Sequence, residues 1–138
     1  MLANRSMPGS TVIPELTYPD LSYAIHWLCS AFGFTLRLRI GDHRAQLNVG
    51  DGAIVLTHHP SAGAVTPLAH SLLIRVADVD AHYLQASEYG ARILRHPITY
   101  PYGERQYSAA DLIGRTWTFS QSIADIDPCD WGGTPENL

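Results

Sequence analysis

The sequence predicts an α+β protein of one domain in which a βαβββ unit is written twice. Three features carry that reading. Strand-like and helix-like periodicities run in the order β-α-β-β-β over residues 12–58 and return in the same order over 70–121. Each helical stretch closes on a glycine that leads into a strand, at Gly33-Phe34 and again at Gly90-Ala91. A glycine also opens the last strand of each unit, Gly52 in the first and Gly114 in the second. A duplicated module of this length excludes most other folds.

The elements follow in order. Residues 12–18 (VIPELTY) read as a strand whose Pro14 marks an edge or a bulge. Asp20 stands where an N-cap belongs, and Leu21, Ala24, Ile25, Leu28 and Phe32 recur at helical spacing to form one apolar face. FTLRLRI (34–40) alternates apolar and polar residues, the period of a half-buried strand. RAQLNVG (44–50) and AIVLTH (53–58) flank a Gly50-Asp51-Gly52 turn. Residues 59–69, with Pro60, Gly63 and Pro67, read as a linker. HSLLIRV (70–76) opens the second unit, and Asp78 or Asp80 caps a helix with Val79, Tyr83 and Ala86 on one face. ARILRHPI, ERQYSAAD and RTWTFSQ supply three more strands. The tail 122–138 is irregular, with Trp131 available to dock it.

Composition narrows the function classes. Apolar residues make up 46% of the 138 and charged residues 16%, which suits a packed core and argues against disorder. The net charge of −4 is weak and dispersed, so neither nucleic acid nor an anionic membrane is an expected partner. No apolar run approaches the ~20 residues of a membrane span, and MLANRSMPGS lacks the apolar centre of a secretory signal. Cys29 and Cys129 make neither a disulfide framework nor a metal pair, so a reducing cytoplasmic compartment is expected. No G-x-S-x-G motif and no phosphate loop appears.

The local sequence resembles the vicinal-oxygen-chelate superfamily, which includes glyoxalases, bleomycin-resistance proteins and extradiol dioxygenases. Its units begin with a pattern like H-x-x-L-x-V-x-D. Here the first unit reads Ile13-Pro-Glu-Leu16-Thr-Tyr18-Pro-Asp20, and the second Ser71-Leu-Leu-Ile74-Arg-Val76-Ala-Asp78. Asp111-x-x-Gly114-x-x-Trp117-x-Phe119 is similar to the superfamily's closing hairpin. The likeness spans roughly residues 12–121. It implies an open, cup-shaped mixed β-sheet with the helices outside, and a homodimer in the bleomycin-resistance branch.

Enzymatic members hold a metal on the cup floor through the first and last strands of each unit. The resemblance assigns those four positions to Ile13, Leu56, Ser71 and Thr118. Two have no donor and two offer neutral hydroxyls, whereas a divalent metal wants imidazole, carboxylate or thiolate. The expected chain therefore has no metal, no cofactor and no catalytic residue, and resembles the metal-free branch. It would bind a small organic molecule, in drug resistance or sequestration. The rival is a lyase, isomerase or dioxygenase-type enzyme with displaced ligands, or with Glu15 or His58 as a base. A third possibility is a regulatory dimer with a collapsed cup.

Residues two apart in a strand share a face, so with Leu16, Tyr18, Ile74 and Val76 on the helices, Glu15, Thr17, Ser71, Leu73 and Arg75 line the cup. Ile54, Leu56 and His58 are placed there with the assigned floor position. The candidate ligand residues are Glu15, His58, Ser71, Arg75, Tyr102, Arg105, Tyr107 and Thr118. Glu15 and Arg75 bring opposite charges to this lining, one from each unit, so they either pair with each other or meet a charged ligand. Tyr100, Tyr102 and Tyr107 either stack a planar ligand or simply pack. His26 and His82 are expected at the surface, and Asp111 in a turn. The cup closes either within one chain or by exchange of modules between two.

Overall fold

A computed structural model of the chain describes residues 2–63 and 70–138. Part of the expected linker, residues 64–69, lies outside the described residues. The first module consists of β1 (Glu15–Tyr18), α1 (Leu21–Phe32), β2 (Thr35–Ile40), β3 (Arg44–Val49) and β4 (Gly52–His58). The second repeats it as β5 (Ser71–Arg75), α2 (Val79–Tyr89), β6 (Arg92–Thr99), β7 (Glu104–Ala110) and β8 (Thr116–Ser122). Each module makes one open four-stranded mixed sheet, in the orders β1-β4-β3-β2 and β5-β8-β7-β6. The first strand of each module runs parallel to the last, and the other pairs are antiparallel.

Local chemistry sets the boundaries. The Asp20 side chain accepts from the Tyr23 N–H at the start of α1, and Asp78, not Asp80, does the same from Ala81 for α2. Both helices end on a left-handed glycine, Gly33 at φ 76° and Gly90 at φ 94°, where a Cβ would be strained. The whole predicted stripe of α1 is buried. In α2 only Val79 and Ala86 are, because this helix buries less of itself. The tail adds one 3₁₀ turn, Pro128–Trp131, and Trp131 docks on Tyr102 at a ring separation of 5.3 Å.

Helix-facing side chains of both sheets join one core. Leu16, Tyr18, Ala45, Leu47, Ile54 and Leu56 come from the first sheet, and Tyr107, Ala109, Trp117 and Phe119 from the second. The modules meet through α1 against α2. Phe32 at the end of α1 reaches the Phe119 ring at 4.8 Å, and Phe34 reaches Trp117 at 5.4 Å. Among the described residues, no strand of one sheet pairs with a strand of the other. With their helix faces spent on a common core, the two sheets turn their opposite faces outward.

A buried polar hub crosses the same junction. Asp111, in the β7–β8 turn, has a fully buried side chain. Its Oδ2 accepts from the Tyr18 hydroxyl at 2.7 Å and the Trp117 indole at 3.0 Å. Its Oδ1 accepts from the backbone N–H groups of Ile113 and Arg115. The Arg115 guanidinium lies 3.8 Å away and donates to His70 Nε2 at 2.9 Å. The turn expected of Asp111 is present, but its carboxylate also ties module one to module two. His70 is thereby held beside Arg115, just outside β5.

Candidate functional site

Strand register decides which side chains share the outward faces. In the second sheet Ser71 pairs with Thr116, Leu73 with Thr118 and Arg75 with Ser120. Ser120 pairs in turn with Gln106, and Thr118 with Ser108. These residues alternate with the core residues Trp117, Phe119 and Tyr107, so they lie together on the face away from α2. Ser71, Leu73 and Arg75 are exposed, with Leu73 at 67%. Of the expected ligand residues, the structure brings together Ser71, Arg75 and Thr118.

This face is a hydrogen-bonded polar floor. The Ser108 and Thr118 hydroxyls lie 2.8 Å apart, and Arg95 donates to Ser108. Gln106 donates to Ser120, whose hydroxyl donates to Glu104 at 2.7 Å. Burial works against the charged Glu104 carboxylate, but hydrogen bonds from Ser120 and Ser122 and the positive charge of Arg75 outweigh it. They hold its pKa below the ordinary carboxylate value. Arg75 thus acts on Glu104 through its charge, with no ion pair between the two among the described residues. At the rim, Arg95 lies over the Tyr100 ring at 5.5 Å, Tyr100 stacks on Tyr102 at 5.3 Å, and Tyr102 meets Trp131. Tyr102 therefore borders the face. The alternation in ERQYSAAD is the signal that could have found Gln106 and Ser108.

On the first sheet, Glu15 pairs with Val55 and Thr17 with Thr57. Their outward face also holds Arg44, Gln46 and Asn48, which pair with Thr57, Val55 and Ala53. Glu15 makes a 2.7 Å ion pair with Arg44 of its own sheet. It does not reach Arg75, because the two lie on separate sheets. The expected pairing across a shared cup is corrected.

Four further expectations are corrected by register. Leu56 pairs with Leu16, so Leu56 and Ile54 face α1 and not the cup. Val55, not Leu56, is the counterpart of Thr118, since Glu15–Val55 matches Leu73–Thr118. His58 pairs with Tyr18 and stands at the helix side, in a cleft with Asp20, Ser22 and Asp42. Arg105 and Tyr107 alternate with Gln106 and so face α2. Arg105 grips Asp80 through both its Nε and Nη2 at 3.1–3.2 Å, while Tyr107 is fully buried and pairs with Phe119.

His82, expected at the surface, instead joins the modules. Its Nε2 lies 2.9 Å from the Phe32 carbonyl, and its Nδ1 contacts the Tyr107 hydroxyl. A carbonyl only accepts, so Nε2 carries the proton and Tyr107 donates to Nδ1. The ring lies 4.1 Å from that of Phe119. Burial pushes the His82 pKa down, with the Phe32 carbonyl opposing, and burial pushes the Tyr107 hydroxyl up. Burial also raises Cys29, which remains a free thiol inside α1.

The face-corrected floor positions are Ile13, Val55, Ser71 and Thr118. None supplies imidazole, carboxylate or thiolate, so the donor set does not fit a divalent metal. Among the described residues, no three His, Cys, Asp or Glu side chains come together as a metal site. No helix among them is long and apolar enough to cross a membrane.

The family model of the glyoxalase/bleomycin resistance protein/dioxygenase superfamily matches residues 11–119. Among solved structures, the chain is similar to TioX from Micromonospora sp. ML1, at 32% identity and a TM-score of 0.69 over 86% of this chain and 100% of that one. A glyoxalase/bleomycin resistance protein/dioxygenase from Alicyclobacillus acidocaldarius aligns at 16% identity and a TM-score of 0.68, covering 86% of this chain and 95% of that one. A lactoylglutathione lyase from Agrobacterium tumefaciens aligns at 17% identity and a TM-score of 0.62, over 83% and 96%. These last two likenesses concern the fold alone. No curated protein sequence matches the chain.

Proposed function

The chain belongs to the glyoxalase/bleomycin resistance protein/dioxygenase superfamily, and from that premise we propose that it is a metal-free, cytoplasmic binding protein for a small organic molecule. The observation that carries this reading is the floor itself. Ile13, Val55, Ser71 and Thr118 offer hydroxyls and methyl groups where a metal would need strong donors. What remains suits recognition. The second sheet presents hydroxyls, the opposite charges of Arg75 and Glu104 and the exposed Leu73, beside a rim of stacked aromatics. A few polar groups among apolar ones is the ordinary profile of a small-molecule site, and a planar ligand would stack on the Tyr100–Tyr102–Trp131 rim. Sequestration in drug resistance is the role this chemistry serves.

The reading includes a homodimer. One chain presents two outward sheet faces, and each of the two clefts where its modules meet holds only about 260 or about 200 Å³. That is below the several hundred of an ordinary ligand site. Module one of one copy set against module two of another would close the cup twice, around a twofold axis. The enzymatic rival finds no support in its proposed bases, since Glu15 is engaged by Arg44 and His58 stands away from the outward face.

A ligand-library thermal-shift screen tests the proposal, because binding to the native state alone raises Tm. Planar, hydrogen-bonding organic compounds should raise it saturably and be recovered unchanged after incubation. Turnover of a hit, dependent on added metal, would contradict it.

A further inference from the structure

The outward face of module one is already occupied, and its occupant is the chain's own N-terminus. Gln46 and its cross-strand partner Val55 are 3% and 2% exposed, although they lie on the side of the sheet away from α1. Residues 5–8 lie over them. The Gln46 amide donates to the Ser6 carbonyl at 2.9 Å. Arg37 is oriented by the Gln46 side-chain oxygen, and its Nη2 donates to the carbonyls of Arg5 at 2.9 Å and Met7 at 3.2 Å. Pro8, next in the chain, is itself buried. The segment makes no strand pairing with the sheet. Its shape comes from one turn closed by Asn4, whose backbone carbonyl accepts from Met7 N–H and whose side chain accepts from Ser6 N–H.

We propose that residues 4–8 are a displaceable strap, and that Arg37 and Gln46 beneath it form an oxygen-binding site for a ligand carrying carbonyl or carboxylate groups. This rests on the reading that the outward faces take the ligand, and it adds where and how. Both side chains present donors that converge on three oxygens, and the strap supplies those oxygens as peptide carbonyls. A guanidinium has five donors and no acceptor, so its partners must be acceptors. The covering segment is held by side-chain hydrogen bonds and not by a ladder, which places it among the parts of a fold that open locally at low cost. An incoming ligand competes with a tethered occupant, and its apparent affinity falls in proportion to the fraction of open molecules.

Two measurements on the full-length protein test this. The first is tryptic cleavage of the Arg5–Ser6 bond. Wild type should be cut slowly, Arg37→Met at least about tenfold faster, and Arg37→Lys at an intermediate rate, with Tm recorded for each to show that the fold persists. The second uses a labelled peptide of residues 2–9 as the probe. With the strap loosened by Asn4→Gly and Pro8→Ser, the protein should bind the peptide roughly tenfold or more tighter than wild type does. Adding Arg37→Met should remove saturable binding. Equal cleavage rates, equal peptide affinities, no peptide binding by the loosened protein, or binding indifferent to Arg37 would each overturn the proposal. None of those failures touches ligand binding by the second sheet, which the thermal-shift screen reads separately.

Discussion

Replacing Asp111 with alanine should cost more stability than any single change on the outward faces. The side chain is fully buried and accepts four hydrogen bonds, from Tyr18, Trp117 and two backbone N–H groups. Alanine leaves those four donors without their acceptor and strands the buried guanidinium of Arg115, whose side chain is 6% exposed. Breaking a buried charged pair by removing one partner costs ~3–5 kcal/mol. The orphaned donors put the expected loss in the upper half of that range, about 4 kcal/mol, since such terms do not add fully. For a chain of this size that corresponds to a fall in Tm of roughly 12–16 °C. Asp111→Asn should recover little, because its NH₂ cannot accept from the Trp117 indole, which only donates. Tyr18→Phe removes one hydrogen bond to a charged group and should cost ~1.5–3 kcal/mol. Urea unfolding with a fixed m-value measures all three. A loss below ~1 kcal/mol for Asp111→Ala would refute the idea that this carboxylate ties the modules together.

Other outcomes follow from the same structure. His82 is held neutral by burial, with a folded pKa below the ordinary imidazole value of about 6.5. Below that value the unfolded chain binds one proton more, so stability should fall as pH drops from about 6.5 toward the folded pKa. His82→Gln should flatten that part of the profile, and an unchanged slope in urea melts across pH 7 to 5 would contradict the assignment. Arg75→Ala should lower stability by less than ~1 kcal/mol, the scale of exposed pairs, because Arg75 stands on an open face. A loss of ~3 kcal/mol or more in the same unfolding assay would mean that it is buried against a partner. Sedimentation equilibrium at micromolar concentration should give a dimer burying at least ~1,200 Å². A single 15.2 kDa species would contradict the shared cup.

Much of the fold was legible because its signals are local. Capping aspartates, closing glycines and the α1 stripe each act within a few residues, and the duplication multiplied their weight. The face of β4 was not legible. Ala53, Ile54, Val55 and Leu56 are all buried, so the strand is an unbroken apolar run with no alternation to read. The cause is distant in sequence: one side of the strand packs on α1 and the N-terminal strap covers the other. A polar-looking decapeptide gave no hint that its carbonyls would lie on Arg37 and Gln46. His82 and Asp111 escaped for a related reason, since each is contacted by the opposite module. His82 looks exposed on the weakly apolar α2 until Phe32 arrives from α1. Asp111 looks like an ordinary turn residue until Tyr18 arrives from β1. On β7, Arg105 and Tyr107 drew attention as an aromatic-basic cluster, whereas the intervening Gln106 and Ser108 carry the outward face.

The central claim is that the cup works without a metal, and calorimetric titration of the chelator-treated protein with nickel, zinc, manganese and ferrous ions tests it directly. With Ile13, Val55, Ser71 and Thr118 at the floor, no ion should bind saturably at one equivalent per chain. One-to-one binding of any of them, abolished by substitution at Ser71 or Thr118, would contradict it.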